Sequence, residues 1–149
     1  MLTDEHRASV EACVLCWLAT SGADGFPSVS PKETFSHFGD REILIANIAS
    51  RNSVQNLLAT PKVCVSFVHV FRQRGFKVQG TATYLQETDP GYRERLAPLR
   101  AIAGDAYPIH GIISVRTEHI EPILAPSYFL FPDETEADKV AAAKRTYGV

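Results

Sequence analysis

Between Lys62 and Leu85 the chain lays down two stretches that read as paired strands. Lys62 to Val70 is rich in β-branched residues, Phe71 to Gly75 reads as a turn, and the chain then alternates strictly. Phe76, Val78, Gly80, Ala82 and Tyr84 point one way, and Lys77, Gln79, Thr81 and Thr83 point the other. A period of two is the signature of a half-buried strand. The first stretch is apolar on both faces, with Val63, Val65 and Phe67 against Cys64, Val68 and Val70. A barrel standing alone would wet one of those faces, so the pattern predicts a helix or a second subunit over it. Gly75 and Gly80 predict close backbone approach or a bulge.

Four more strands are expected around this pair. Val14 to Thr20 is short, apolar and closed by the turn residues Ser21 to Gly25. A second strand runs from Phe26 to about Thr34. Gly39-Asp40 turns the chain into a third, Glu42 to Asn47, and the last runs from Ile112 to Ile120. Helices are expected after Thr3 as N-cap, after Ser50 as N-cap, after the pair Asp89-Pro90, and from about Thr135 to Lys144. Thr60-Pro61 stops the second helix, because proline disfavours helical backbone in the residue before it. The expected fold is mainly β with short helices: one domain, residues 1–149, built on a six-stranded antiparallel barrel.

Composition narrows the function classes. A 45% apolar and 21% charged chain is ordinary globular composition, and a net charge of −2 gives no basic surplus for nucleic acid. The start lacks a basic segment followed by an apolar one, and the longest apolar run, Val14 to Ala19, is too short for a bilayer. With three cysteines there is no disulfide framework, and a reduced, cytoplasmic protein without membrane contact is expected. Cys13 and Cys16 form a Cys-x-x-Cys, but positions three apart on a strand face opposite sides, so both read as buried structural residues. The five histidines lack ligand spacing, and no metal site is expected.

The chemistry concentrates in the segment from Ile43 to Leu57, where an apolar strand feeds a short turn and then a helix. A helix N-terminus offers free amides and the positive end of its dipole. Arg51 adds a permanent charge with a fork of donors, and Ser50, Asn52 and Ser53 add neutral donors. Two readings stand at this point. Ser50 is a helix cap and Arg51 is solvated, or the group holds an anion such as a terminal phosphate.

From Val14 to Leu85 the motifs Leu18-Ala19-Thr20, Asp24-Gly25-Phe26-Pro27, Val29-Ser30-Pro31-Lys32, Ala46-Asn47, Ser50-Arg51, Asn56-Leu57, Pro61 to Phe67 and Lys77 to Ala82 follow one another in order. In that order and spacing the chain resembles the pyridoxamine 5′-phosphate oxidase-like family of FMN-binding split barrels. The resemblance implies FMN as cofactor and a homodimer whose second subunit completes the pocket around a small redox substrate. It implies that Val29, Ser30, Pro31 and Lys32 lie along the flavin ring, that Ala46, Asn47 and Ile48 lie beside the ribityl chain, and that Ser50, Arg51, Asn52 and Ser53 hold the phosphate. Lys32 and Lys77 are the two cations available to the reduced ring. Members of the family that oxidise the vitamer carry lysine where this chain has Asn52. They also carry a C-terminal tryptophan and Arg-x-His motif, which this chain lacks. The resemblance therefore implies an FMN-dependent oxidoreductase of another substrate class. The alternatives are a module that stores, senses or transfers FMN, a deazaflavin or haem, with His69 or His119 as axial-ligand candidates, and a structural homodimer with an empty site.

Overall fold

The computed structural model describes residues 1–149. Seven strands form one antiparallel sheet: β1 (Cys16–Ser21), β2 (Pro27–Lys32), β3 (Phe35–Phe38), β4 (Glu42–Asn47), β5 (Lys62–His69), β6 (Arg74–Leu85) and β7 (Gly111–Leu124). Their order is β2-β1-β5-β6-β7-β4-β3. The two edges, β2 and β3, are joined by only Glu33 and Thr34. Such a link spans roughly 11 Å at full stretch. The sheet must therefore curl until its edges meet, which makes it a half-barrel of the split-barrel kind.

This corrects the expected six strands to seven. The second strand leaves the β1 ladder at Lys32, two residues before Thr34. It bends there, and its continuation Phe35–Phe38 leaves β1 for a new partner, β4. Strands that turn a corner by changing partner are how curled sheets close on themselves.

Inward residues of β1, β5, β6, β4 and β7 form the main core, including Leu18, Val65, Phe67, Val78, Ile45 and Val115. Each such side chain contributes about 1.5–3 kcal/mol by leaving water. α1 (Asp4–Ala12) starts at Thr3 as expected, with a capping box formed by Thr3 and His6, and it closes one end of the core through Val10. α2 (Arg51–Ala59) buries Leu57 against the same core and leaves Leu58 exposed. Gly80 lies at a register shift in the β6–β7 ladder. A Cβ there would sit 2.0 Å from the Arg116 carbonyl oxygen, so only glycine fits the bulge.

α3 (Tyr92–Ala103) lies outside the barrel and seals a second, smaller core of Leu44, Ala46, Ile112, Tyr92 and Leu99. Its start differs from expectation. The Asp89 carboxylate accepts the Gln86 amide at 2.7 Å and closes a turn, and Gly91 at φ 75° becomes the N-cap in place of the Asp89-Pro90 pair. Pro98 is carried inside this helix. α4 (Ser127–Leu130) and α5 (Glu136–Tyr147) end the chain, α5 behind a capping box on Thr135. No helix is long and apolar enough to cross a membrane.

Glu42 on β4 bolts α3 to the sheet. It accepts two hydrogen bonds from Arg95, at 2.7 and 2.8 Å, and one from Ser114 Oγ at 2.8 Å. The Arg95 contact holds the Glu42 carboxyl below its ordinary value of 4.5. A carboxyl lowered in this way stabilises the fold above the unfolded-state value, and that stability is lost as pH falls through the folded one. Glu42→Gln should thus destabilise the protein by about 1–3 kcal/mol at pH 7. The gap to the parent protein should narrow at pH 3 in chemical denaturation. A gap independent of pH would contradict this role.

Candidate functional site

The site is built where β2 ends, β4 ends and α2 begins. Ser50 occupies the N-cap position of α2, yet its side chain makes no capping bond. Its hydroxyl instead accepts from Lys32 Nζ at 2.6 Å. Lys32 is the last residue of β2, immediately before the bend, and it is 8% exposed. That hydroxyl is the only hydrogen-bond partner of its ammonium, and no carboxylate pairs with it. Burial pushes the Lys32 pKa below the ordinary lysine value. An interior ammonium with one neutral partner is costly, so the position favours an anion beside it.

The amides of Arg51, Asn52 and Ser53 find no acceptor, and the first bond of the helix runs from Val54 N–H to the Ser50 carbonyl. The open helix end and the buried ammonium thus flank Ser50 together. Arg51 is exposed and makes no ion pair. Ser53 is buried, and its hydroxyl lies 3.2 Å from that of Ser30, tying α2 to β2.

A cleft of about 730 Å³ opens at this point. Ser30, Pro31, Lys32, Ala46, Ile48 and Ser50 line it, six of the residues singled out in the sequence. Asn47, Ile48, Ser50 and Arg51 border an adjoining depression of about 440 Å³ together with His110. Val29 points to the outer face of the sheet, Asn52 is exposed and Ser53 buried, and neither of these two lines either hollow. Lys77 is not brought to the cleft. It lies in one row across the sheet with Ser66, Trp17 and Pro31, three strands or roughly 14 Å from Pro31. Its ammonium pairs with Glu121 at 2.9 Å.

Sequence reasoning missed the opposite wall of the cleft. Val14, Ile102 and Tyr107 supply it, and all three are exposed. The last two come from the end of α3 and the loop after it, where no periodic pattern marks a residue as lining a site. Cys16, the register partner of Lys32, is fully buried, and burial pushes its thiol up to about 12. It is inert structural sulfur, as the sequence implied.

A family model described as pyridoxamine 5′-phosphate oxidase matches residues 2–130. The chain belongs to the pyridoxamine 5′-phosphate oxidase family. Solved structures with the same fold include an FMN-binding protein from Syntrophomonas wolfei subsp. wolfei, 16% identical, with a TM-score of 0.69 over 82% of this chain and 86% of that one. HupZ of Group A Streptococcus is 21% identical, with a TM-score of 0.70 over 80% of this chain and 92% of that one. HutZ, the haem storage protein of Vibrio cholerae, is 17% identical, with a TM-score of 0.62 over 83% of this chain and 95% of that one. No curated protein matches the sequence.

The physical cost of Lys32 is measurable. Lys32→Met removes the desolvated charge and keeps the stem. In protein freed of any ligand it should raise the thermal midpoint by ~2–4 °C, the scale of about 1 kcal/mol in a chain this size. A lowered midpoint would mean that the ammonium is held by favourable contacts.

Proposed function

We propose that this protein binds FMN at the α2 N-terminus and works as an FMN-dependent oxidoreductase. The observation that carries the reading is the Lys32 ammonium, buried without a counter-ion beside three open helix amides. A dianionic phosphate would satisfy both at once, which gives Lys32 to the phosphate and not to the flavin ring where the resemblance put it, and Arg51 adds a second cation at the rim. The alternative of a plain helix cap loses its support, because the Ser50 hydroxyl serves Lys32 and not the helix. When bound, FMN supplies hydride and electron transfer that no side chain here can perform. The chain's own part is to grip the phosphate, to lay Ser30, Pro31 and Ile48 beside the remainder, and to leave the Val14–Tyr107 side open for a substrate.

Two observations favour FMN over the other ligands weighed. A haem needs an axial ligand, and the two candidates weighed, His69 and His119, line other hollows, with only His110 bordering the depression beside the cleft. A deazaflavin with a long anionic tail calls for a free basic groove. The cations of the β5–β6 region are instead neutralised: Lys62 by Glu118, Arg72 by Glu136, Arg74 by Glu5 and Glu136, and Lys77 by Glu121.

The proposal includes a homodimer. The outer face of β1 and β2 exposes Trp17 at 45% and Val29 at 59%, with Val14 and Phe26 at its margins, and β2 is a sheet edge. An apolar patch on an edge strand calls for a partner, and a second copy of the chain is the one proposed.

The absorption spectrum of the protein as purified tests the cofactor. Two flavin bands, with FMN released on denaturation, are expected, and a haem band or a colourless protein that fails to retain added FMN would contradict the proposal. Arg51→Ala should weaken FMN binding by ~1–3 kcal/mol. Unchanged affinity would remove Arg51 from the site. In size-exclusion with light scattering, the parent protein should run as a dimer and Trp17→Arg as a monomer. A monomeric parent protein would refute the dimer.

A further inference from the structure

The backbone just before α2 is tied to another strand by a relay of hydrogen bonds. Asn47, the last residue of β4, receives the Ser50 backbone N–H on its side-chain oxygen at 3.0 Å. Its side-chain nitrogen donates to Tyr84 Oη on β6 at 2.8 Å. Tyr84 in turn donates to the His110 carbonyl at 3.2 Å. The His110 N–H closes the ring on the Asn47 carbonyl at 2.8 Å.

The direction of this chain follows from its ends. A backbone N–H can only donate, so the amide atom of Asn47 that faces Ser50 must be oxygen, and the nitrogen must face the phenol. The phenol accepts that bond and has one proton left, which the His110 carbonyl takes. Each polar atom of the Asn47 side chain thus has one protein partner. Asn47 supports the site by holding Ser50 in place.

Gly111 gives an independent sign that the phenol is meant to lie there. A Cβ on Gly111 would sit 2.3 Å from Tyr84 Oη and 2.4 Å from its Cζ. A residue with any side chain would expel the ring from its place between the ends of β4 and β7. Gly111 is also the register partner of Asn47. One glycine thus clears the space through which the phenol reaches the asparagine.

We infer that Tyr84 is a positioning residue for the phosphate end of the site: through Asn47 it fixes the backbone of Ser50, and so aims the amides of Arg51, Asn52 and Ser53 outward at the anion. Oriented amides bind an anion only when they are held before it arrives. The inference rests on the FMN reading above and adds a residue that touches no ligand.

The test compares FMN with riboflavin, which differ only in the phosphate. The full-length protein, freed of bound flavin, is titrated with each while flavin fluorescence is followed. The parent protein should prefer FMN. Tyr84→Phe keeps the ring and deletes the hydroxyl. It should weaken FMN binding roughly three- to tenfold, the scale of one neutral hydrogen bond, while riboflavin affinity stays unchanged. Asn47→Ala, which deletes both side-chain bonds, should reduce the FMN preference at least as far. If Tyr84→Phe weakens both flavins equally, or neither, the relay serves general stability and the inference is overturned. If the parent protein binds riboflavin as tightly as FMN, the phosphate site itself is wrong, and the inference falls with it.

Discussion

Two residues, Glu33 and Thr34, join strands at opposite edges of a seven-stranded sheet. The link is too short for a flat sheet, so curling is forced, and the rest of the architecture follows from it. The bend turns Lys32 inward at the mouth of the barrel and sets its ammonium against the helix that follows β4. The bend that closes the barrel is thus also what sets Lys32 beside Ser50. Leu18, Ile45, Val65 and Phe67 are fully buried behind it, and their burial stabilises the curled sheet.

The site runs against the interests of the ligand-free fold. An ammonium is buried on a single hydroxyl, and three helix amides are left without protein acceptors. Local rules of this kind are broken where a ligand restores the balance. The ion pairs of the sheet are conventional. Glu42 and Arg95 satisfy each other with near-ideal geometry, and the basic residues of β5, β6 and their turn each find a carboxylate. Lys32 differs from them in being buried with no carboxylate beside it.

Much of this was legible in the residue pattern. The alternation of Phe76 to Tyr84, the N-cap Thr3 and a last helix beginning at about Thr135 appear in the structure as read, and so does the irregularity at Gly80. These are local signals, written within a few residues of where they act. What escaped is non-local. Phe35 to Phe38 is too short to announce a strand, and its change of partner depends on β4, which comes later in the chain. Ser50 has the right identity and place for a cap, but a lysine eighteen residues earlier in sequence claims its hydroxyl. The Asp89-Pro90 pair reads as a helix start until Gly91, in a left-handed conformation, takes that role. Lys77 alternates correctly on its strand, and only the strand order shows how far it lies from Lys32. Tyr84 was visible as an inward residue of an alternating strand, but nothing near it in sequence reveals that its hydroxyl reaches Asn47.

The account rests on a dianion being held where β2 and α2 meet. A crystal structure of the protein grown with FMN measures this directly. The phosphate should lie within hydrogen-bond distance of the Arg51 to Ser53 amides and of Lys32 Nζ. A phosphate placed elsewhere, with Lys32 still bonded only to Ser50, would contradict it.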